Sequence, residues 1–221
     1  KAKDMLFDVF KNIDVTNRAI IITTFSSHIA RLQSIIDLAK KLDRRVVFVG
    51  RSLAKYIECA KKAGICDYEQ EGEIISSKKN MREKFKEISA NKRDYVIVCT
   101  GHQGEENSVV WKLVHKDIKF NFQANDIVVF SSNIIPTVYN KKLREDIEQK
   151  LLDMRIKVIK DVHVSGHLAG RDYKDVLKML KPKLLIPTHG DEEMSVSLMK
   201  IAENIDIKTL RCHDGQKYIL D

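Results

Sequence analysis

The sequence predicts an α/β fold: a mostly parallel, Rossmann-like sheet with helices on both faces, followed by a smaller segment that continues the same alternation. Three observations predict it. Short unbroken runs of aliphatic and β-branched residues, such as Arg18–Phe25 and Tyr95–Cys99, have the pattern of strands buried on both faces. Most of these runs end beside Gly, Ser or Thr, and most are followed by an apolar stripe at helical spacing. The strand–helix alternation recurs along the chain, which favours parallel pairing through right-handed crossovers.

In order, Asp4–Asn12 carries Leu6, Val9, Phe10 and Ile13 at helical spacing and opens the chain as a helix. Arg18–Phe25 is the first strand, and Ser26 or Ser27 is placed to cap a helix with an inner stripe of Ile29, Leu32, Ile36 and Ala39. Arg45–Val49 is the second strand; it leads through Gly50-Arg51-Ser52 into a helix bearing Leu53, Ile57 and Ala60. Asp67–Lys79 is polar, contains Gly72 and reads as an excursion at the sheet edge. A short helix with Met81, Phe85 and Ile88 precedes the strand Tyr95–Cys99 and the loop Thr100-Gly101-His102-Gln103-Gly104-Glu105. Val109, Val110, Leu113 and Val114 form the next helix face, and Asp126–Phe130 the fourth strand, ending in Ser131-Ser132-Asn133. Leu143, Ile147 and Leu151 mark another helix and Ile156–Ile159 a fifth strand. Beyond Asp161 the expected elements are a helix over Asp172–Leu180, a strand over Lys183–Pro187 and a helix with Met194, Leu198 and Ile201. Two last strands are expected near Ile207–Arg211 and Lys217–Leu220. Only three prolines occur, and no low-complexity segment or repeat announces a linker.

At 221 residues the chain can build one large domain or two modest ones. A hydrophobic fraction of 43% and a charged fraction of 32% describe an ordinary globular protein. No apolar run reaches the length of a membrane span and no secretory signal opens the chain, so no membrane partner is expected. Four cysteines without C-x-x-C spacing read as reduced thiols of a cytoplasmic protein. The net charge of +8 suits a polyanionic partner, although lysine-rich surfaces also occur in heat-adapted proteins that bind no nucleic acid.

The stretch from Asp161 to Asp191 concentrates the chemistry: it holds His163, His167 and His189, three of the seven histidines. His189 follows a short apolar strand and precedes Gly190, and ligands collect outside the carboxyl ends of strands in open α/β sheets. In the Ser165-Gly166-His167 turn, the glycine lets backbone N–H groups approach a phosphate that the hydroxyl and imidazole also face. His163 and His167 are four residues apart, but Val164 and Gly166 are poor helix formers and no Glu follows His163. A metalloprotease helix is therefore disfavoured, and His163 reads as a surface or capping residue.

V-H-V-S-G-H, the helix Asp172–Leu180 and K-P-K-L-L-I-P-T-H-G-D resemble the carboxyl end of ribonuclease J, of the β-CASP branch of metallo-β-lactamase-fold nucleases. The likeness extends upstream to I-I-I-T-T-F-S-S-H-I-A-R-L-Q, V-V-F-V-G-R-S and C-T-G-H-Q-G-E, in the family's order, and is strongest to the archaeal type. It implies a β-CASP domain over residues 1 to 160, then over 161 to 221 the segment with which a metallo-β-lactamase domain is completed. It further implies hydrolysis of RNA phosphodiesters with two zinc ions, 5′–3′ exonucleolytically and also internally, with RNA and a homodimer mate as partners. By the same resemblance His189 is a zinc ligand and His167 protonates the leaving oxygen or stabilises the scissile phosphate. Ser165 and Gly166 belong to a phosphate pocket, and Ser26, His28, Arg51, Ser52 and His102 lie on loops that hold RNA.

The chain departs from the family pattern in three places. His102 replaces the serine of T-G-S-Q-G-E, and Leu168-Ala169-Gly170-Arg171-Asp172 replaces an Ala-Ser-acid continuation after S-G-H. No two histidines are separated by one residue, so the zinc-binding H-x-H-x-D-H motif has no match. The expectation is a segment, opening on Lys1, that lacks the amino-terminal metallo-β-lactamase half and is inactive alone. The alternative is a non-catalytic α/β module that binds RNA or a nucleotide; an enzyme acting on a small phosphorylated substrate is disfavoured by the absence of a G-x-G-x-x-G fingerprint.

Overall fold

The fold follows from strands that are apolar on both sides and must therefore be covered twice. In a computed structural model of the chain, residues 2–135, 137–160, 162, 168 and 170–219 are described. They divide into two compact units, residues 1–164 and 165–221.

The first unit runs α1 (Ala2–Lys11), β1 (Ile20–Thr23), α2 (Ile29–Lys41), β2 (Arg45–Val49), α3 (Arg51–Lys62), β3 (Gly72–Ile75), α4 (Lys78–Ala90), β4 (Tyr95–Cys99), α5 (Val109–Val114), β5 (Ile127–Phe130), α6 (Val138–Asp153) and β6 (Lys157–Ile159). Its six strands form one parallel sheet in the order β3-β2-β4-β1-β5-β6.

Alternate residues of each strand feed opposite cores, as the twofold side-chain period requires. Ile21, Val47, Ile97, Cys99, Val128 and Phe130 join Phe85 of α4, Val110 of α5 and Leu151 of α6. Ile20, Ile22, Phe48, Val96, Val98 and Val129 join Leu6 of α1, Leu32 and Ile36 of α2 and Leu53 of α3. Each fully buried aliphatic side chain contributes roughly 1.5–3 kcal/mol, so both cores stabilise the sheet strongly. Cys99 belongs to the first core as a small hydrophobe, and burial pushes its thiol pKa up.

Neighbouring strands leave the sheet toward opposite cores. The helices after β1 and β2 pack on one face, and those after β3, β4 and β5 on the other. Such reversals between adjacent strands open crevices at the carboxyl edge.

A buried ion pair anchors the opposite edge. Lys92 Nζ lies 2.6 Å from Asp126 Oδ2, and Asp126 also accepts from the amides of Ala19 (2.9 Å) and Gln123 (2.8 Å).

Two local expectations change in this unit. The stretch 67–79 contributes β3, a parallel edge strand paired with β2. Gly72 makes that pairing possible, because a Cβ there would lie 2.5 Å from the Val46 carbonyl oxygen. At the start of α2 the capping position falls to His28 without a side-chain cap bond, since Ser26 is engaged elsewhere. By contrast, Ser77, Ser108 and Thr137 cap α4, α5 and α6 through their hydroxyls.

The second unit comprises α7 (Gly170–Leu180), β7 (Leu184–Leu185), α8 (Glu192–Glu203) and β8 (Lys208–Thr209), with β7 and β8 parallel. Leu177, Ala202 and Ile207 form its small core. The expected strand over 217–220 is absent among the described residues 217–219.

Candidate functional site

At the carboxyl edge of the first unit, three loops that are distant in sequence are locked together. The loop after β1 meets the loop after β2 through Ser26 Oγ and Ser52 Oγ, 2.9 Å apart. The same loop meets the one after β4 through Phe25 and His102, whose ring centroids are 4.0 Å apart at an interplanar angle of 54°. Farther along, Thr24 Oγ1 donates to Ser131 O and Ser131 Oγ to Val162 O, which ties β1 to the segment after β5.

Glycines permit the close approach. Gly101 and Gly104 adopt φ of +116° and +79°, conformations that disfavour a Cβ. At Gly104 a Cβ would lie 2.6 Å from the Leu143 backbone, so α6 rests directly on the loop.

Gln103 is the buried pin of this loop. Its Nε2 donates to Asn133 O (2.9 Å) and its Oε1 accepts from Ile135 N (2.8 Å). Glu105 accepts from Gln103 N at 3.0 Å and lies 3.6 Å from His102 Nδ1. From α6 the buried Arg144 donates to His102 O, stacks over Phe130 at 3.3 Å and pairs with Glu148 at 2.8 Å. Glu148 in turn pairs with Lys160 at 2.9 Å.

Sequence reasoning named neither Gln103 nor Arg144 as a site residue. The available signal for Arg144 was an arginine on the apolar stripe of α6, one turn before Ile147 and Glu148 and two before Leu151.

Both imidazoles at this edge resist protonation. Burial, opposed by Glu105 and assisted by Arg144, lowers the pKa of His102. Burial and then the Arg31 charge lower that of His28. Near pH 7 each is a neutral ring, able to donate or accept a hydrogen bond but contributing no charge. Positive charge comes from Arg51, exposed at the first turn of α3. Ser26, His28, Arg51, Ser52 and His102 thus share the carboxyl edge, as the strand pattern predicts.

In the second unit His189 follows β7, exposed and in a left-handed conformation with φ of +58°. Two residues on, Asp191 caps α8 by accepting from Met194 N at 2.8 Å. His163, Ser165, Gly166 and His167 lie outside the described residues. Among the described residues no group of three or more His, Cys, Asp or Glu side chains is placed to hold a metal ion. Zinc therefore does not fit the described side chains on their own.

A parallel sheet covered by helices on both faces, with loops converging at its carboxyl edge and a small α/β unit following in sequence, makes this a protein of the doubly wound α/β class. The chain belongs to the ribonuclease J family of that class: the model described as "Ribonuclease J, beta-CASP domain" matches residues 17–149. A second model, "Zn-dependent metallo-hydrolase RNA specificity domain", matches residues 152–210. Among similar proteins is ribonuclease J of Pyrococcus abyssi, 35% identical over 202 residues, covering 91% of this chain and 44% of that protein. Ribonuclease J of Methanocaldococcus jannaschii is 37% identical over 191 residues, covering 86% and 43%. Ribonuclease J2 of Bacillus subtilis is 32% identical over 193 residues, covering 86% and 33%. The chain thus spans less than half the length of these relatives. No helix among the described residues is long and apolar enough to cross a membrane.

Proposed function

We propose that this chain is the RNA-holding and partial active-site portion of a zinc-dependent ribonuclease that hydrolyses RNA phosphodiesters, 5′–3′ exonucleolytically and also internally. The observation that carries the reading is the locking of three strand-end loops at one sheet edge, through the Ser26–Ser52 hydroxyl pair and the Phe25–His102 ring contact. The family membership and the net charge of +8 support it.

In this reading residues 1 to 160 form the β-CASP domain and 161 to 221 the segment completing a metallo-β-lactamase fold. Ser26, Ser52 and the neutral imidazoles of His28 and His102 hydrogen-bond backbone phosphates, and Arg51 supplies a charge-assisted contact. Such contacts position the strand without reading its bases. Ser165 and Gly166 hold a terminal or scissile phosphate, and His167 delivers a proton to the leaving oxygen, a role suited to a group titrating near neutrality. His189 is the zinc ligand of this segment. The metal, two ions in the whole enzyme, would supply the activated water when bound. One imidazole cannot hold it, and the H-x-H-x-D-H motif has no match in the 221 residues, so the reading assigns the other ligands to a metallo-β-lactamase half outside them. The whole enzyme is proposed to act in the cytoplasm as a homodimer on RNA.

The test is fluorescence anisotropy of single-stranded RNA with the 221-residue chain across a salt series, beside a nuclease assay with added zinc. Salt-dependent binding without turnover is expected. Robust zinc-dependent cleavage by this chain, or RNA affinity unchanged by Ser26→Ala, Arg51→Ala and Ser52→Ala together, refutes the assignment.

A further inference from the structure

Much of the positive charge lies beside the locked loops rather than on them. A cleft of about 900 Å³ opens between the first turns of α3 and α4 and the body of α5. Its cationic lining is Arg51, Lys55, Lys78, Arg82 and Lys112, beside the hydroxyls of Ser52, Ser77 and Thr100. A second cleft of about 740 Å³ shares Arg82 with the first and adds Lys86, Lys116, Lys119 and the ring of Phe120. The one carboxylate lining either cleft, Asp117, lines both. Among the described residues none of these eight cations is in an ion pair, whereas Lys61, Lys84, Lys92, Arg144 and Lys160 are each matched to a carboxylate. Eight unmatched cations around two adjoining clefts repel one another, a cost that a bound polyanion removes.

The arrangement is linear. Lys78, Arg82 and Lys86 follow one another at four-residue intervals along α4, so they share a face and span roughly 12 Å at 1.5 Å per residue. At one end, the amide-bearing first turns of α3 and α4 face the cleft where Arg51, Ser52, Ser77 and Lys78 line it. At the other, Phe120 is half-buried and held edge-on by Phe85 (5.7 Å) and Phe122 (4.8 Å), which fixes its ring at the cleft wall. A row of cations with an anchored aromatic suits a chain of phosphates carrying stackable bases, and exceeds what a single small anion needs.

We propose that these two clefts form an RNA exosite: a track along α4 that holds the phosphate backbone of single-stranded RNA beyond the strand-end loops, with a base stacked on Phe120. The inference rests on the ribonuclease reading for its ligand, and its footing is the unmatched cation row. Occupancy of the track makes affinity depend on RNA length. A short oligonucleotide is held by the loops alone, and a longer one gains the phosphate contacts of α3, α4 and α5.

The experiment compares the 221-residue chain with a Lys55→Ala, Arg82→Ala, Lys86→Ala, Lys112→Ala variant, all four side chains lying in the surface clefts. Circular dichroism checks folding, and a Phe120→Leu variant reports the stacking separately. Anisotropy is read with a short and a long single-stranded RNA over a salt series, with inorganic pyrophosphate and polyglutamate as competitors. The expected result is at least a tenfold loss for the long RNA and little change for the short one. The slope of log affinity against log salt should fall by about 3, at about 0.7 per phosphate contact released. Phe120→Leu should weaken the long RNA severalfold at unchanged slope. Equal affinity and slope for the quadruple variant overturn the exosite, even where Ser26→Ala with Ser52→Ala still weakens the short RNA and so upholds the loop reading. A cleft that prefers pyrophosphate, or exchanges RNA for polyglutamate at equal charge, overturns it in favour of a small-anion or acidic-protein site. Absence of RNA binding by the unaltered chain overturns both readings.

Discussion

Replacing Arg144 by Met tests how the His102 loop is held. Arg144 is 1% exposed, and its guanidinium meets the carbonyl of His102, the carboxylate of Glu148 and the face of Phe130. Methionine keeps most of the packing volume but removes the charge. A charge-assisted bond to a carbonyl contributes about 1.5–3 kcal/mol, and breaking a buried ion pair from one side costs about 3–5 kcal/mol. Glu148 keeps Lys160 at 2.9 Å, so its charge stays partly compensated and the loss should sit at the lower end, about 3 kcal/mol. For a chain of this size that lowers Tm by roughly 6–12 °C. Thermal unfolding followed by circular dichroism reads the stability, and the double variant with Glu148→Gln reads the coupling between the two side chains. Removing the Arg144 charge also lifts one of the influences that depress the His102 pKa, so an NMR titration should find that imidazole easier to protonate in Arg144→Met. An unchanged Tm, or strict additivity with Glu148→Gln, refutes the claim that this network holds the loop.

Three further outcomes are expected. Gly104→Ala should lose more than about 2 kcal/mol in urea unfolding, because its left-handed φ costs about 1–2 kcal/mol and the added Cβ meets the α6 backbone. Asp126→Ala should lose about 3–5 kcal/mol by stranding the buried Lys92 ammonium and two amides, with much of the loss recovered when Lys92→Met is added. Stability should decline as pH falls below about 6.5, where the unfolded chain takes up protons on His28 and His102 that the folded chain resists through their lowered pKa values. His28→Gln with His102→Gln should flatten that stretch of a stability–pH profile.

The interior strands were legible because burial on both faces leaves an unbroken apolar signature. β1, β2, β4 and β5 all carry it, and the helices between them show their inner stripes. β3 was not legible as a strand. Its four residues, Gly-Glu-Ile-Ile, are only partly buried, and its register depends on a glycine fitting against Val46, a tertiary circumstance. The missing hydroxyl cap on α2 has a similar cause: Ser26 has local cap chemistry but is taken by Ser52, 26 positions away. At the candidate site, strand-end position sufficed to bring Ser26, Arg51, Ser52 and His102 to one edge. The pinning role of Gln103 could not be read, because its partners Asn133 and Ile135 lie beyond another strand. Ser165, Gly166 and His167 fall outside the described residues, so the role proposed for them rests on the family resemblance.

The Ser26–Ser52 contact joins two groups of the same kind, and either oxygen can be the donor. Two such hydroxyls can reverse which one donates by rotating about their C–O bonds, while the backbone on both sides stays where it is. An incoming anion on the β1 side can recruit the Ser26 hydrogen while Ser52 donates inward, and one on the β2 side the reverse. The clasp between these two loops is therefore indifferent to the direction from which negative charge arrives.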